Sequence, residues 1–187
     1  VRFHSEADTS APPKGGVSLS HLLMGESEPM RQVRSKIELY ARHDFPVYIT
    51  GECGTGKELA AKSLHRFSRR ARAPFVAVNC GAIPETILES ELFGTERGAY
   101  TGAVSRPGNF EAAAGGTLFP DEITEMSGSA QAKLLRALED GEVRRLGSRQ
   151  TLHFDVRVLS ATNANLDARA GAGFRYDLLE RLETLIL

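Results

Sequence analysis

The 187 residues include only two cysteines, Cys53 and Cys80, with no paired spacing and no histidine cluster beside them. That scarcity argues against a disulfide framework and against zinc, and makes a reduced cytoplasmic setting the expectation. No apolar run approaches the length that crosses a bilayer, so no membrane span is expected. The polar N-terminus also lacks the apolar core of a secretory signal. Neither sign of charge is in excess, with 23 Lys and Arg against 24 Asp and Glu. That balance argues against a basic surface spread over the whole domain for gripping DNA. Internal repeats are absent. What is present is ordinary for a folded chain. Hydrophobic residues make up 41% and charged residues 25%, enough for one compact domain with a real core.

Residues 1–18 are small and polar and include Ala11-Pro12-Pro13-Lys14-Gly15-Gly16. They read as a flexible tail or linker. From residue 19 to 187 the pattern alternates between strands and helices. Pro46 to Thr50 reads as a strand, and Lys57 to about Arg72 as a helix with Leu59, Ala60, Ser63, Leu64 and Phe67 at helical spacing. Phe75 to Val78 is a second strand. Pro84 suits the first turn of a helix running through Ile87, Leu88 and Leu92. Gly116 to Phe119, Val156 to Ser160 and Thr184 to Leu187 read as the third, fourth and fifth strands, with a helix over Ser129–Glu139. Strands separated by helices imply an α/β domain, a five-stranded parallel sheet flanked by helices, with functional groups at the carboxyl ends of the strands.

Gly51-Glu52-Cys53-Gly54-Thr55-Gly56-Lys57 lies between the first strand and the first long helix. That is the context a phosphate-binding loop requires. Its glycines let successive N–H groups turn inward, the helix adds its positive end, and Lys57 supplies a cation for the terminal phosphates of a nucleoside triphosphate. The usual Ser or Thr after the lysine is here Glu58. Magnesium must then rely on other groups and on water. Cys53 has two readings, a thiol of lowered pKa at a helix start or a small side chain tolerated in the loop.

Asp121-Glu122 follows the apolar third strand. A carboxylate there can hold magnesium through water, which is the role read for Asp121, and the next acid, Glu122, can orient or activate the attacking water. Pro120 interrupts the strand just before them and removes a ladder hydrogen bond, which is expected to tilt the pair and weaken hydrolysis. Thr162 and Asn163 close the fourth strand, within reach of a water near the terminal phosphate. Asn79 closes the second and could hydrogen-bond Glu122. Taken singly, each reads more often as a turn residue, a preference the architecture reverses.

Beyond the loop stands Gly98-Ala99-Tyr100-Thr101-Gly102-Ala103, small residues around one aromatic. Together with Glu89 to Gly94, Gly115 to Glu122, Ala161 to Asn163 and Phe174 to Leu182, it makes the chain from about Leu22 to Leu187 resemble the central AAA+ domain of sigma-54-dependent transcriptional activators, with its P-loop NTPase fold. Glu58, odd for a generic phosphate loop, is what that family carries. The resemblance implies ATP and Mg2+ as ligands, assembly into a hexameric or heptameric ring, and remodelling of the closed promoter complex formed with the sigma-54 factor. Gly98, Ala99, Tyr100, Thr101, Gly102 and Ala103 would form the loop tip that touches that factor, with Tyr100 where the family usually has Phe. Arg175 and Arg181, which by themselves read as solvated helix residues, match its arginine fingers. Asn79 and Glu122 match its switch pair, and Thr162 and Asn163 its first sensor. Leu22, Leu23, Met24 and Gly25 match part of its adenine pocket. The matched stretch is the α/β subdomain, with the helical lid absent, and DNA contact is assigned to a C-terminal domain outside it. Three readings follow: a motor ATPase, a nucleotide-binding module with little turnover, or another AAA+ remodelling machine, the last opposed by the loop at 98–103.

Overall fold

The computed structural model describes residues 18–163 and 173–187; the expected tail, Ser18 excepted, lies outside them. Two helices open the fold, α1 (Leu19–Leu22) and α2 (Glu28–Tyr40). A strand, β1 (Val47–Thr50), then feeds through the glycine loop into α3 (Lys57–Arg66). Next come β2 (Phe75–Asn79), α4 (Glu85–Phe93), α5 (Asn109–Ala112) and β3 (Thr117–Asp121). The chain continues through α6 (Gly128–Asp140), a short pair β4 (Glu142–Val143) and β5 (Leu152–His153), then β6 (Arg157–Thr162) and α7 (Tyr176–Leu182).

Successive residues of a strand face opposite sides of a sheet, and this sequence uses both sides. Val47, Ile49, Phe119, Leu159 and Ala161 pack with Leu19, Ile37, Ala61 and Leu64, beneath α1, α2 and α3. Tyr48, Leu118 and Val158 pack on the other face with Leu88, Phe93, Phe110, Leu134 and Leu178, from α4 to α7. Burial on both sides explains why these strands read as continuous apolar runs. Each such Leu, Ile or Phe stabilises the fold by about 1.5–3 kcal/mol relative to exposure.

The sheet has four parallel strands among the described residues, in the order β1-β6-β3-β2, rather than the expected five. The segment expected as the fifth does lie beside β1. Tyr48 N–H donates to Leu185 O (2.8 Å), Leu187 N–H to Tyr48 O (2.9 Å) and Thr50 N–H to Leu187 O (3.0 Å). It makes one bridge, Tyr48↔Ile186, after a turn in which Thr184 Oγ1 donates to Arg181 O. Helix α3 also ends earlier than expected, at Arg66. The Ser68 hydroxyl donates to His65 O and accepts from Arg70 N–H, a local arrangement that competes with further helix.

Pro120 has the expected consequence in the ladder. Thr117 N–H donates to Pro74 O on the β2 side, so by alternation Leu118 and Pro120 face β6. The β3–β6 register runs over Thr117↔Arg157 and Leu118↔Val158 and goes no further, whereas β3–β2 pairing continues to Asn79↔Asp121. The strand thus loses one neighbour just before the acidic pair.

Candidate functional site

The carboxyl ends of β1, β6, β3 and β2 bring Thr50, Thr162, Asp121 and Asn79 to one edge of the sheet. The glycine loop leaves β1 at that edge. Gly54 and Gly56 take φ of 81° and 92°, a conformation that costs an L side chain but not glycine. Glu52, Cys53, Gly54, Thr55 and Gly56 are exposed, while Lys57 is 9% exposed at the start of α3. Its ammonium donates to Gly51 O (2.9 Å) and Glu52 O (3.2 Å), and Thr55 Oγ1 donates to Glu52 O. Glu58 is ion-paired to Lys62 at 2.7 Å along the helix, and its charge also reaches Asp121. Leu22 is half-buried and Gly25 exposed, and the segment they share is pinned by Arg34 Nη1, which donates to Leu23 O and Gly25 O. Leu19 and Leu23 pack against Ala60 and Leu64 of α3, so this segment lies against the helix that carries the loop.

Glu122 is the one non-glycine residue with positive φ among those described, at φ 52° and ψ 51°. Such a conformation strains the backbone by about 1–3 kcal/mol and persists where surroundings hold it. Here Glu122 N–H donates to Asp121 Oδ1 (3.0 Å), Asn163 N–H donates to Glu122 Oε2 (3.2 Å), and Lys57 Nζ lies 3.9 Å from Glu122 Oε1. Burial pushes the Asp121 carboxyl above its ordinary range, against the lowering effect of the N–H it accepts. Thr162 Oγ1 meets Thr124 Oγ1 at 3.2 Å. The sequence thus identified residues that the fold does bring together. The contact that holds Glu122 comes from Asn163, while the Asn79 side-chain oxygen accepts from Gly81 N–H and Ala82 N–H, capping the next turn. Cys80, beside Asn79, is buried, and burial pushes its thiol up to about 12; Cys53 is exposed.

Among the described residues no group of three or more His, Cys, Asp or Glu side chains could hold a metal by itself. Magnesium bound with a nucleotide needs less. One or two carboxylates suffice where phosphates and water complete the octahedron. Asp121, at the strand end beside Lys57, fits that requirement.

The second candidate surface is the loop at 98–103. Gly98 and Gly102 have φ of 87° and 84°, and Ala103 N–H closes a turn on Tyr100 O at 2.9 Å. Tyr100 is 50% exposed, whereas Ala103 is buried. Below the loop tip the base is braced. Thr95 bridges Arg106 and Leu146, and its hydroxyl donates to Val104 O. Arg145 donates twice to Glu111 (both 2.7 Å) and once to Glu96 (2.8 Å); the Arg145 hydrogen bonds hold the Glu111 carboxyl below the usual range. Arg145, Glu96 and Glu111 went unread as a unit because three separate segments supply them. The turn at Gly147-Ser148 between short polar-apolar stretches was the available signal for the hairpin.

Gly94 and Gly108 close the same base. A Cβ on Gly108 would lie 2.3 Å from Gly94 N and 2.5 Å from Leu92 O. Backbone on backbone leaves no side chain to yield. Gly108→Ala is therefore expected to lower stability by about 1–3 kcal/mol, read as a fall in denaturant midpoint at unchanged slope; an unshifted midpoint would show that the loop ends part without strain.

Arg175 caps the start of α7 and Arg181 lies on it, and both are exposed. Arg175 makes a forked pair with Asp177 (3.0 and 2.6 Å), and Arg181 lies 3.6 Å from Glu139. Among the described contacts neither meets Lys57, Asp121 or Glu122. No helix among the described residues is long and apolar enough to cross a membrane.

Comparison with known proteins agrees with this geometry. Residues 23–187 match the family described as the sigma-54 interaction domain. The chain is 52% identical over 165 residues to a Nif-specific regulatory protein of Enterobacter agglomerans, covering 87% of this chain and 32% of that one. It is 50% identical over 167 residues to the response regulator protein PilR of Pseudomonas aeruginosa, covering 88% and 38%. The crystal structure of NtrX from Brucella abortus in complex with ATP superposes with a TM-score of 0.81 at 40% identity, over 87% of this chain and 35% of that one. The chain thus spans about a third of the length of the curated relatives it matches.

Proposed function

This chain belongs to the sigma-54 interaction domain family, and from that membership we propose that it is the ATP-hydrolysing core of a transcriptional activator, driving its 98–103 loop against the sigma-54 factor of RNA polymerase. The observation that carries the reading is the Glu122 carboxylate, held between the Lys57 ammonium and the Asn163 N–H at the mouth of the glycine loop. Lys57 and the loop N–H groups bind the phosphates, and Asp121 would hold magnesium, which neutralises charge on the phosphates when bound. Glu122 orients a water for in-line attack on the terminal phosphorus. A P–O bond forms to that water, the bond to the bridging oxygen breaks, and ADP departs while the water's proton passes to Glu122.

Arg175 and Arg181 serve a neighbouring copy in a hexameric or heptameric ring. Their exposed position, away from their own Lys57 and Glu122, supports action in trans. ATP turnover per subunit measured across a protein concentration series tests this. Turnover should rise with concentration in the wild-type chain and stay low for Arg175→Ala. Flat, near-zero turnover at every concentration would instead favour a nucleotide-binding module.

Tyr100 tests the other half of the machine. Tyr100→Ala should leave ATP turnover within about twofold, since a surface substitution away from the site moves little energy. It should weaken capture of purified sigma-54 factor by tenfold or more, as loss of an aromatic anchor does, about 2 kcal/mol. Undiminished capture would remove the loop from the interface.

A further inference from the structure

Helix α6 buries a residue that apolar periodicity alone would leave outside a core. Gln131 is 2% exposed, on the same side of the helix as Ala130, Leu134 and Leu135. A buried amide must satisfy its polar atoms, since each orphan costs about 1–3 kcal/mol. Among the described residues its partners are all backbone groups from outside the helix. Nε2 donates to Met126 O at 2.9 Å and to Gly173 O at 3.3 Å, and Oε1 accepts from Arg175 N–H at 2.9 Å. Met126 ends the tight turn Ile123–Glu125 that Glu122 begins. Arg175 is the residue that opens α7. One side chain therefore joins the segment leaving the acidic pair to the segment that carries the arginine.

We propose that Gln131 is a positioning residue that fixes Arg175 relative to the turn after Glu122, so that the arginine one protomer offers its neighbour moves with that protomer's own acidic pair. Three hydrogen bonds to backbone give the link a direction that packing would lack. Side-chain pairs can re-form in shifted positions, but carbonyls and N–H groups of the main chain report the path of the chain itself. A change in the Glu122 turn that displaces Met126 O pulls on the same amide that holds Arg175 N–H. The inference rests on the reading that Arg175 acts on a neighbour's nucleotide, and the test separates the two.

Gln131→Met keeps the length of the side chain and removes every hydrogen bond, whereas Gln131→Glu keeps the acceptor for Arg175 N–H. Residue-resolved amide exchange of the 187-residue chain is the readout, with melting temperature and ATP affinity as controls. Arg175 N–H should exchange about tenfold faster or more in Gln131→Met, as expected for loss of one buried hydrogen bond. ATP affinity should stay unchanged, and Gln131→Glu should recover most of the protection. Should Gln131→Met fail to fold, Gln131→Asn, an amide one methylene too short to reach Arg175 N–H, takes its place with the same faster exchange at Arg175 expected. Exchange at Arg175 that ignores Gln131 would overturn the proposal. In the assembled full-length protein, Gln131→Met should lower kcat at unchanged KM and lower it no further when Arg175 is already alanine. Additive losses in the double variant would overturn action through Arg175. Full turnover by Arg175→Ala would sink the trans reading while leaving the exchange result in place.

Discussion

Lys57→Ala is expected to weaken ATP binding by about 10²–10³-fold, the loss that follows truncation of a buried, charge-assisted partner worth some 3–4 kcal/mol. Lys57 is 9% exposed and its ammonium is held by Gly51 O and Glu52 O, so the charge sits at the loop rather than free in solvent. Its removal does two things. The phosphates lose a positive charge, and Glu122, whose carboxylate lies 3.9 Å from Lys57 Nζ, is left facing them with that charge uncompensated. The fold should survive, since the residue contributes no cluster of apolar contacts. Calorimetric titration with ATP, beside a thermal melt, checks both statements. Normal ATP affinity in a folded Lys57→Ala protein would mean that the nucleotide site lies elsewhere.

Glu122→Ala is expected to behave in the opposite way, with kcat down by about 10²–10⁴-fold, the range for loss of a general base, and ATP affinity retained or tightened. The sign follows from charge. Removing a carboxylate near Lys57 relieves repulsion of the incoming phosphates. Glu122→Gln belongs beside it, because the residue sits at φ 52° and a shorter side chain there alters the restraint as well as the chemistry. The amide keeps an acceptor for Asn163 N–H while losing the base. Single-turnover hydrolysis measured with saturating ATP separates the two effects. Turnover preserved in both variants would assign the water to another group, and ATP affinity lost in both would make Glu122 a binding residue.

How much of this was legible from the chain depended on how far apart the partners lie. The glycine loop, its strand and its helix could be read because Val47 to Arg66 is one continuous segment whose apolar spacing, glycines and lysine all agree. The parallel sheet could be read for the same reason, since two-sided burial leaves these strands largely apolar, with Ser160 the polar break inside β6. The partner of Glu122 could not. Asn79 ends β2 and Asn163 follows β6, the two strands that flank the acidic pair's strand, and only the packed fold decides which one meets the carboxylate. Asn79 spends its oxygen on Gly81 and Ala82, while the backbone of Asn163 reaches Glu122.

Sequence alone therefore determined the family, the α/β class and the identity of the residues at the carboxyl ends of the strands. Those follow from short-range pattern, in which each residue's neighbours are known. Tertiary structure decided what no local pattern holds: the strand order β1-β6-β3-β2, the Arg145–Glu111–Glu96 brace under the Tyr100 loop, the close crossing of Gly94 and Gly108, and the three backbone bonds of Gln131. Each joins segments far apart in sequence. A hydrogen bond or a close approach between them depends on distances within an ångström, which only the packed sheet and its covering helices impose.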